Sequence, residues 1–279
     1  MRRYGISSWV VRNLEPEAAI RALGASGFRE TELSAAEGLL VQAWEKDPAG
    51  ICGQLKAAGL AVRSIHCTPR GYGLCSTDAM ARQASYAAYL EYFDAMRRSG
   101  IEEVVVHPWI GKDIAPEEAP EAPKARALES LAILAEKARP FGVKLAVENL
   151  PGNRENLPGQ TVEQLLELID GLGDHVGVCL DTGHATMRGL DLVDQLRKAG
   201  KNLFSLHMHD IGPDGKDHFV PGEGAYDWGP FLDLLHSDYE GVVRTIEVKP
   251  PVSNDIIVER LRKAAAVKDL WESRWKAVN

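Results

Sequence analysis

Along 279 residues, a series of short apolar runs each closes on a carboxylate or an imidazole: His66, His107, Glu148, Asp181, His207 and Glu247. The stretch Val-Gly-Val-Cys-Leu-Asp-Thr-Gly-His-Ala, residues 176–185, is the clearest of them. It reads as a buried parallel strand that presents Asp181 and, three residues on, His184. If these ends converge, three carboxylates and several imidazoles share one crevice, and buried charges are normally paired or bound to metal. No lysine or arginine ends any of the six runs, so a divalent cation is the economical counter-charge. Two glutamates, an aspartate and a histidine form a mixed oxygen–nitrogen set suited to Mn²⁺, Zn²⁺, Mg²⁺ or Co²⁺.

The elements that must position these groups alternate along the chain. Strands are expected over 3–9, 29–34, 61–67, 102–107, 143–150, the stretch opening at 176, 203–210 and 242–248. Helices are expected over 14–26, 48–58, 77–99, a segment ending near 139, and then 161–170, 190–199, 228–235 and 254–276. Gly27, Gly59 and Gly100 stand where a helix would stop. Eight strands alternating with eight helices predict one α/β domain over 1–279, a (β/α)8 barrel with a closed eight-stranded parallel sheet inside a ring of helices. An open doubly wound sheet would usually carry a glycine-rich turn after its first strand, and Ser7-Ser8-Trp9 is not one. In a barrel the C-terminal strand ends meet on one face, where catalytic groups sit. Side chains alternate along a strand, so Ser64, Val105, Ala146, Cys179, Ser205 and Thr245 share the inner side with the polar ends. Ile65, Val106, Val147, Leu180, Leu206 and Ile246 face the helices. That agreement over six strands carries more weight than any single motif.

Composition sets the outer limits. The chain is 45% hydrophobic and 26% charged with a formal net charge of −8, an ordinary globular balance. The negative charge argues against nucleic acid as the main partner, since phosphate contacts need clustered Lys and Arg. The four cysteines, Cys52, Cys67, Cys75 and Cys179, show no CxxC spacing and read as free thiols in a reducing compartment. No signal-peptide core and no long apolar run is present, which makes a cytoplasmic location and no membrane partner the default expectation. A homo-oligomer is left open.

The segments VENLPG, VGVCLDTGHA, LHMHD, DHFVPGEG with YDW, and TIEV, set in the barrel pattern, resemble the xylose isomerase-like TIM-barrel superfamily, and within it the sugar phosphate isomerase/epimerase group. The resemblance runs over essentially the whole chain. It implies a metal held by Glu148, Asp181, His207 and Glu247, with Glu148 and Glu247 also facing the substrate carbons and His184 binding substrate oxygens. The superfamily includes endonuclease IV, which holds three zinc ions. That pattern would put one zinc on His66, His107 and Glu148, a second on Glu148, Asp181, His207 and Glu247, and a third on His184, His218 and an aspartate two residues before His218. This chain has Lys216 there, with Asp217 one place late.

The function so implied is a divalent-metal-dependent isomerase or epimerase of a sugar, keto-sugar or related polyol. Glu148 or Glu247 would remove the proton beside a carbonyl, a metal-stabilised enediolate would form, and a glutamate would return the proton. A dehydratase of a keto-inositol or similar, an abasic-site DNA endonuclease, and a metal-free sugar-binding barrel are the alternatives. His66 and His107 are expected to touch substrate, hold a second metal, or simply pack. Glu32 fits a substrate hydroxyl or a strand-end salt bridge, and His218 either reaches the mouth or braces its turn. His209 turns inward or bonds its loop. Trp9, Trp109 and Trp228 wall the pocket or pack; of these Trp109 is taken as the substrate contact. Arg70, Arg154 and Arg188 lie in loops of the same face, where they either meet a phosphate or carboxylate or are simply exposed, while His175 and His236 are expected at the surface.

Overall fold

Apolar runs too short to form helices pair side by side. In the computed structural model, which describes residues 4–34, 37–66, 73–110, 112–251 and 253–278 and side chains to 274, eight strands form: β1 (Gly5–Ser7), β2 (Glu30–Ser34), β3 (Ala61–His66), β4 (Glu103–Val106), β5 (Lys144–Glu148), β6 (Val176–Asp181), β7 (Leu203–Met208) and β8 (Val243–Ile246). Each pairs in parallel with the next, and β8 pairs with β1, so the sheet closes into a barrel. The register sets Asp181 beside His207 and Glu148 beside Cys179, so two polar strand ends lie directly opposite each other and Glu148 follows two residues behind on the same inner side.

The helices among the described residues are α1 (Pro16–Gly24), α2 (Leu39–Lys46), α3 (Pro48–Ala57), α4 (Ala79–Ser99), α5 (Glu121–Ala138), α6 (Val162–Ile169), α7 (Thr182–Met187), α8 (Leu192–Ala199), α9 (Trp228–Asp238) and α10 (Ile257–Val278). Two of them break the expected one-helix alternation. α2 buries Leu40, Val41 and Trp44, and Asp47 divides it from α3 by accepting the Gly50 N–H while Pro48 opens the new helix. α7 starts directly at the end of β6, with Asp181 as its N-cap. Five strands also end earlier than expected: Trp9 lies in a 3-10 turn (Ser8–Val11) after β1, β5 closes at Glu148 rather than at 150, and His107, His209 and Glu247 lie in loops one residue past β4, β7 and β8.

The inside–outside alternation is as the strands predict. Val105, Ala146 and Cys179 pack together inside the barrel, apart from the main core that Ile65, Val106, Val147, Leu180, Leu206 and Ile246 build against the helices. Ser64, Ser205 and Thr245 are buried with the inner set. Glu103, which the sequence did not single out, joins them at the start of β4, with burial and the nearby Glu32 charge acting on its carboxyl. His236 is buried rather than at the surface: Tyr4 fills the space beside it, with the Tyr4 hydroxyl 2.7 Å from its Nε2. Cys52, Cys75 and Cys179 are free thiols; Cys67 and Arg70 fall outside the described residues. No described helix is long and apolar enough to cross a membrane.

Candidate metal centre and cavity

Each polar strand end is held by its neighbours before it meets the others. Asn149 follows Glu148 out of β5 and clamps the backbone of Asp181, accepting its N–H at 2.7 Å and donating to its carbonyl at 3.0 Å. That clamp was not foreseen; its signal is an amide, able to donate and accept at once, placed next to a strand-end carboxylate. Asp181 then turns the chain into α7 by accepting the His184 N–H at 2.7 Å. His184 Nδ1 lies 2.9 Å from the Asn149 carbonyl. It therefore carries its proton on Nδ1 and leaves a lone pair on Nε2. Glu247 is fixed by its own N–H, which donates to Met208 across the β7–β8 edge at 3.1 Å.

Glu148, Asp181, His207 and Glu247, all buried, offer ligand atoms within 4.8 Å of one another. His207 Nδ1 lies 3.2 Å from Glu148 Oε1 and 3.2 Å from Glu247 Oε2. Its other nitrogen, Nε2, lies 3.2 Å from Glu32 Oε2, which also accepts the Ser64 hydroxyl at 2.7 Å. Glu32 thus stands behind His207 rather than among the cavity walls. Carboxylates in that position orient a ligating imidazole and raise its basicity. Glu247 Oε2 is buried and makes no well-aligned hydrogen bond, facing only the ring nitrogens of His207 and His218 at 3.2 and 3.5 Å. An oxygen-rich set with such a buried oxygen fits a divalent cation of the Mn²⁺, Mg²⁺, Co²⁺ or Zn²⁺ kind.

The imidazoles around this set act as its internal counter-charge. Burial alone would raise the carboxyl of Glu148, yet the charges of His207, His66 and His107 hold it well below the usual range. Glu247 is held low in the same way, by His207, His218 and His66 against burial. Burial works against a charged His66, but Glu148 and Glu247 overcome it and push that imidazole up to about 10. His218 is likewise pushed up to about 10, against its burial, by Asp217 and Glu247. His184 moves the other way, because its burial outweighs the pull of Asp181 and Glu148.

A cavity of about 370 Å³ opens above the cluster, walled by Trp9, Leu150, Pro151, His184 and His218, with Glu148 and Glu247 at its base. His66 and His107 also reach it; their Nε2 atoms lie 2.8 Å apart and 3.2 and 2.9 Å from Glu148 Oε2, so these three groups form a second possible cation set. Trp109 is not brought to the cavity: its indole N–H donates to the Pro158 carbonyl at 2.7 Å and the ring is buried. Trp228 is spent on packing against Trp271. Arg154 donates to the Ile114 carbonyl, and Arg188 to the Gly152 carbonyl and the Gln160 side chain, so both brace loops. Lys216 pairs with Asp214 at 2.7 Å, and Asp217 lies 3.2 Å from His218 Nδ1.

A D-psicose 3-epimerase from Enterocloster bolteae is 32% identical over 121 residues, 42% of this chain and 38% of the relative. A probable endonuclease 4 from Thermoplasma volcanium is 28% identical over 178 residues, 59% of each chain. The chain therefore spans between 38% and 59% of these relatives' length. Among solved structures, a D-tagatose 3-epimerase-like protein superposes with a TM-score of 0.81 at 20% identity, covering 99% of this chain and 98% of that one. An IolI protein with a bound zinc atom does so with a TM-score of 0.81 at 20% identity, covering 98% and 99%; these likenesses speak to the fold. Residues 18–267 match the family model described as xylose isomerase-like TIM barrel, and the chain belongs to that family.

Proposed function

We propose that this chain is a divalent-metal-dependent isomerase or epimerase of a sugar, keto-sugar or related polyol. The observation that carries the reading is the gathering of Glu148, Asp181, His207 and Glu247 from four strands at the base of one cavity. A cation bound there would act as a Lewis acid on a carbonyl and its neighbouring hydroxyl. Glu148 comes from β5 and Glu247 from the end of β8, and both border the cavity. Two carboxylates so placed can remove a proton beside a carbonyl and return it at the adjacent carbon or the other face. His184, with its free Nε2 lone pair, and His218 are placed to hold substrate hydroxyls. His107 Nε2, 2.9 Å from Glu148 Oε2, orients that base. Trp9 and Leu150 exclude water from the reacting carbons. The D-psicose 3-epimerase relative supports a ketose as substrate class.

The test is solvent exchange. The enzyme is loaded with Mn²⁺ and incubated in deuterated water with a panel of free and phosphorylated ketoses and keto-inositols. One substrate should acquire deuterium beside its carbonyl, and Glu148→Gln or Glu247→Gln should abolish that exchange. Normal exchange in both variants would refute the mechanism, and a product absorbing in the ultraviolet would mean dehydration instead. A second reading, abasic-site DNA cleavage, draws on the His66–His107–Glu148 set and the endonuclease 4 relative. Lys216 in place of an aspartate and the net charge of −8 weigh against it, and nicking of an abasic oligonucleotide decides it.

A further inference from the structure

We propose that His209 is a positioning residue that orients the Asp181 carboxylate through one ring nitrogen and pins the backbone of His218 through the other. The proposal rests on reading Glu148, Asp181, His207 and Glu247 as a cation site. His209 is 1% exposed and does not line the cavity, so it touches neither substrate nor solvent. The His218 N–H donates to His209 Nδ1 at 2.9 Å. A ring nitrogen that accepts an N–H carries no proton, which places the proton of the neutral ring on Nε2. Nε2 lies 3.0 Å from both oxygens of Asp181. The carboxylate, already tied at Oδ1 by the His184 N–H, is thus held from a second direction.

The surroundings are shaped to keep this ring in place. A Cβ on Gly183 would lie 1.9 Å from His209 Cε1, so glycine at the first turn of α7 is what admits the imidazole. On its other side the ring stacks on His218, with centroids 4.0 Å apart and planes 15° from parallel. His218 is the one non-glycine residue with positive φ among those described, at 58°, a conformation that side chains other than glycine's rarely adopt. It is held there at both ends, its N–H by His209 and its carbonyl by the Lys249 N–H at 3.1 Å. His218 Nε2 in turn lies 3.5 Å from Glu247 Oε2. One buried ring therefore links Asp181 on β6 to Glu247 beyond β8.

The two arms can be separated. The amide oxygen of an asparagine can stand in for Nδ1, and the amide nitrogen of a glutamine for Nε2. Mn²⁺ dissociation constants are measured by chelator competition for wild type, His209→Ala, His209→Asn and His209→Gln, and a nitrogen–proton correlation spectrum of the imidazoles is recorded on the metal-free wild type. His209→Ala and His209→Asn are expected to bind Mn²⁺ about 10- to 100-fold more weakly, with His209→Gln recovering much of the loss. The spectrum is expected to show His209 protonated on Nε2. Wild-type affinity in all three variants, no recovery in His209→Gln, or a proton on Nδ1 overturns the proposal; the spectrum decides it should the variants not fold. A wild type that takes up no Mn²⁺ overturns the cation-site reading and this proposal together, whereas tight binding by wild type and variants alike overturns the role of His209 alone.

Discussion

Glu103 offers a quantitative test of the barrel interior. Its carboxyl, ordinarily near 4.5, is pushed up to about 7 chiefly by burial, with the charge of Glu32 adding to it, against the Ser205 hydroxyl and the charges of Lys144 and Arg63. In the unfolded chain the same group titrates near its ordinary value. Below about pH 4.5 both states hold the proton and the group is neutral to folding. Between there and about pH 7 the unfolded chain has released the proton while the folded one keeps it, so stability falls as pH rises, by about 1.4 kcal/mol per pH unit. Above about pH 7 the loss is complete and amounts to about 3 kcal/mol. Glu103→Gln removes the titrating group while keeping its shape. Urea unfolding of wild type and variant at pH 5 and pH 8.5 isolates this contribution, because every other titrating pair is common to both proteins. The variant should match wild type within about 1 kcal/mol at pH 5 and exceed it by about 2–3 kcal/mol at pH 8.5. A difference between the two proteins that does not change with pH would refute the placement of Glu103 as a desolvated carboxyl.

Two further perturbations probe the residues around the metal set. Gly183→Ala drives a methyl into the His209 ring, which His218 and Asp181 hold from the other sides; overpacking plus displaced hydrogen bonds should destabilise the fold by about 2–5 kcal/mol in urea unfolding, and a variant as stable as wild type would show that the ring moves freely. Glu32→Gln removes the buried carboxylate behind His207, whose Oε1 has no hydrogen-bond partner; Mn²⁺ affinity should fall about tenfold without loss of fold stability, and unchanged affinity would make Glu32 a mere filler of the barrel.

The inner layer was legible because strand alternation is strict: once the polar ends were placed on strands, their small neighbours had to share their side. Val105, Ala146 and Cys179 accordingly form their own cluster inside the barrel. What was not legible depends on contacts across long separations. Asn149 and Asp181 are 32 residues apart and meet only because β5 and β6 are neighbours. Glu32 reads as a strand-end group open to a hydroxyl, yet the barrel turns it under His207, 175 residues away. Trp109 sits beside His107 in the chain, but the Pro158 carbonyl draws its indole away from the cavity. α2 was missed because nothing in the chain marks Gly38 as its start, since no side chain caps it. Arg154 and Arg188 looked like anion ligands because loop carbonyls, which engage both, leave no trace in residue type.

The central claim, that Glu148, Asp181, His207 and Glu247 surround one cation, is tested most directly by equilibrium titration of the metal-stripped protein with Mn²⁺, alongside Asp181→Asn and Glu247→Gln. Wild type should take up Mn²⁺ at a saturable site that both variants lose or weaken by at least about tenfold. Binding that survives both substitutions unchanged, or a wild type that takes up no Mn²⁺, would contradict it.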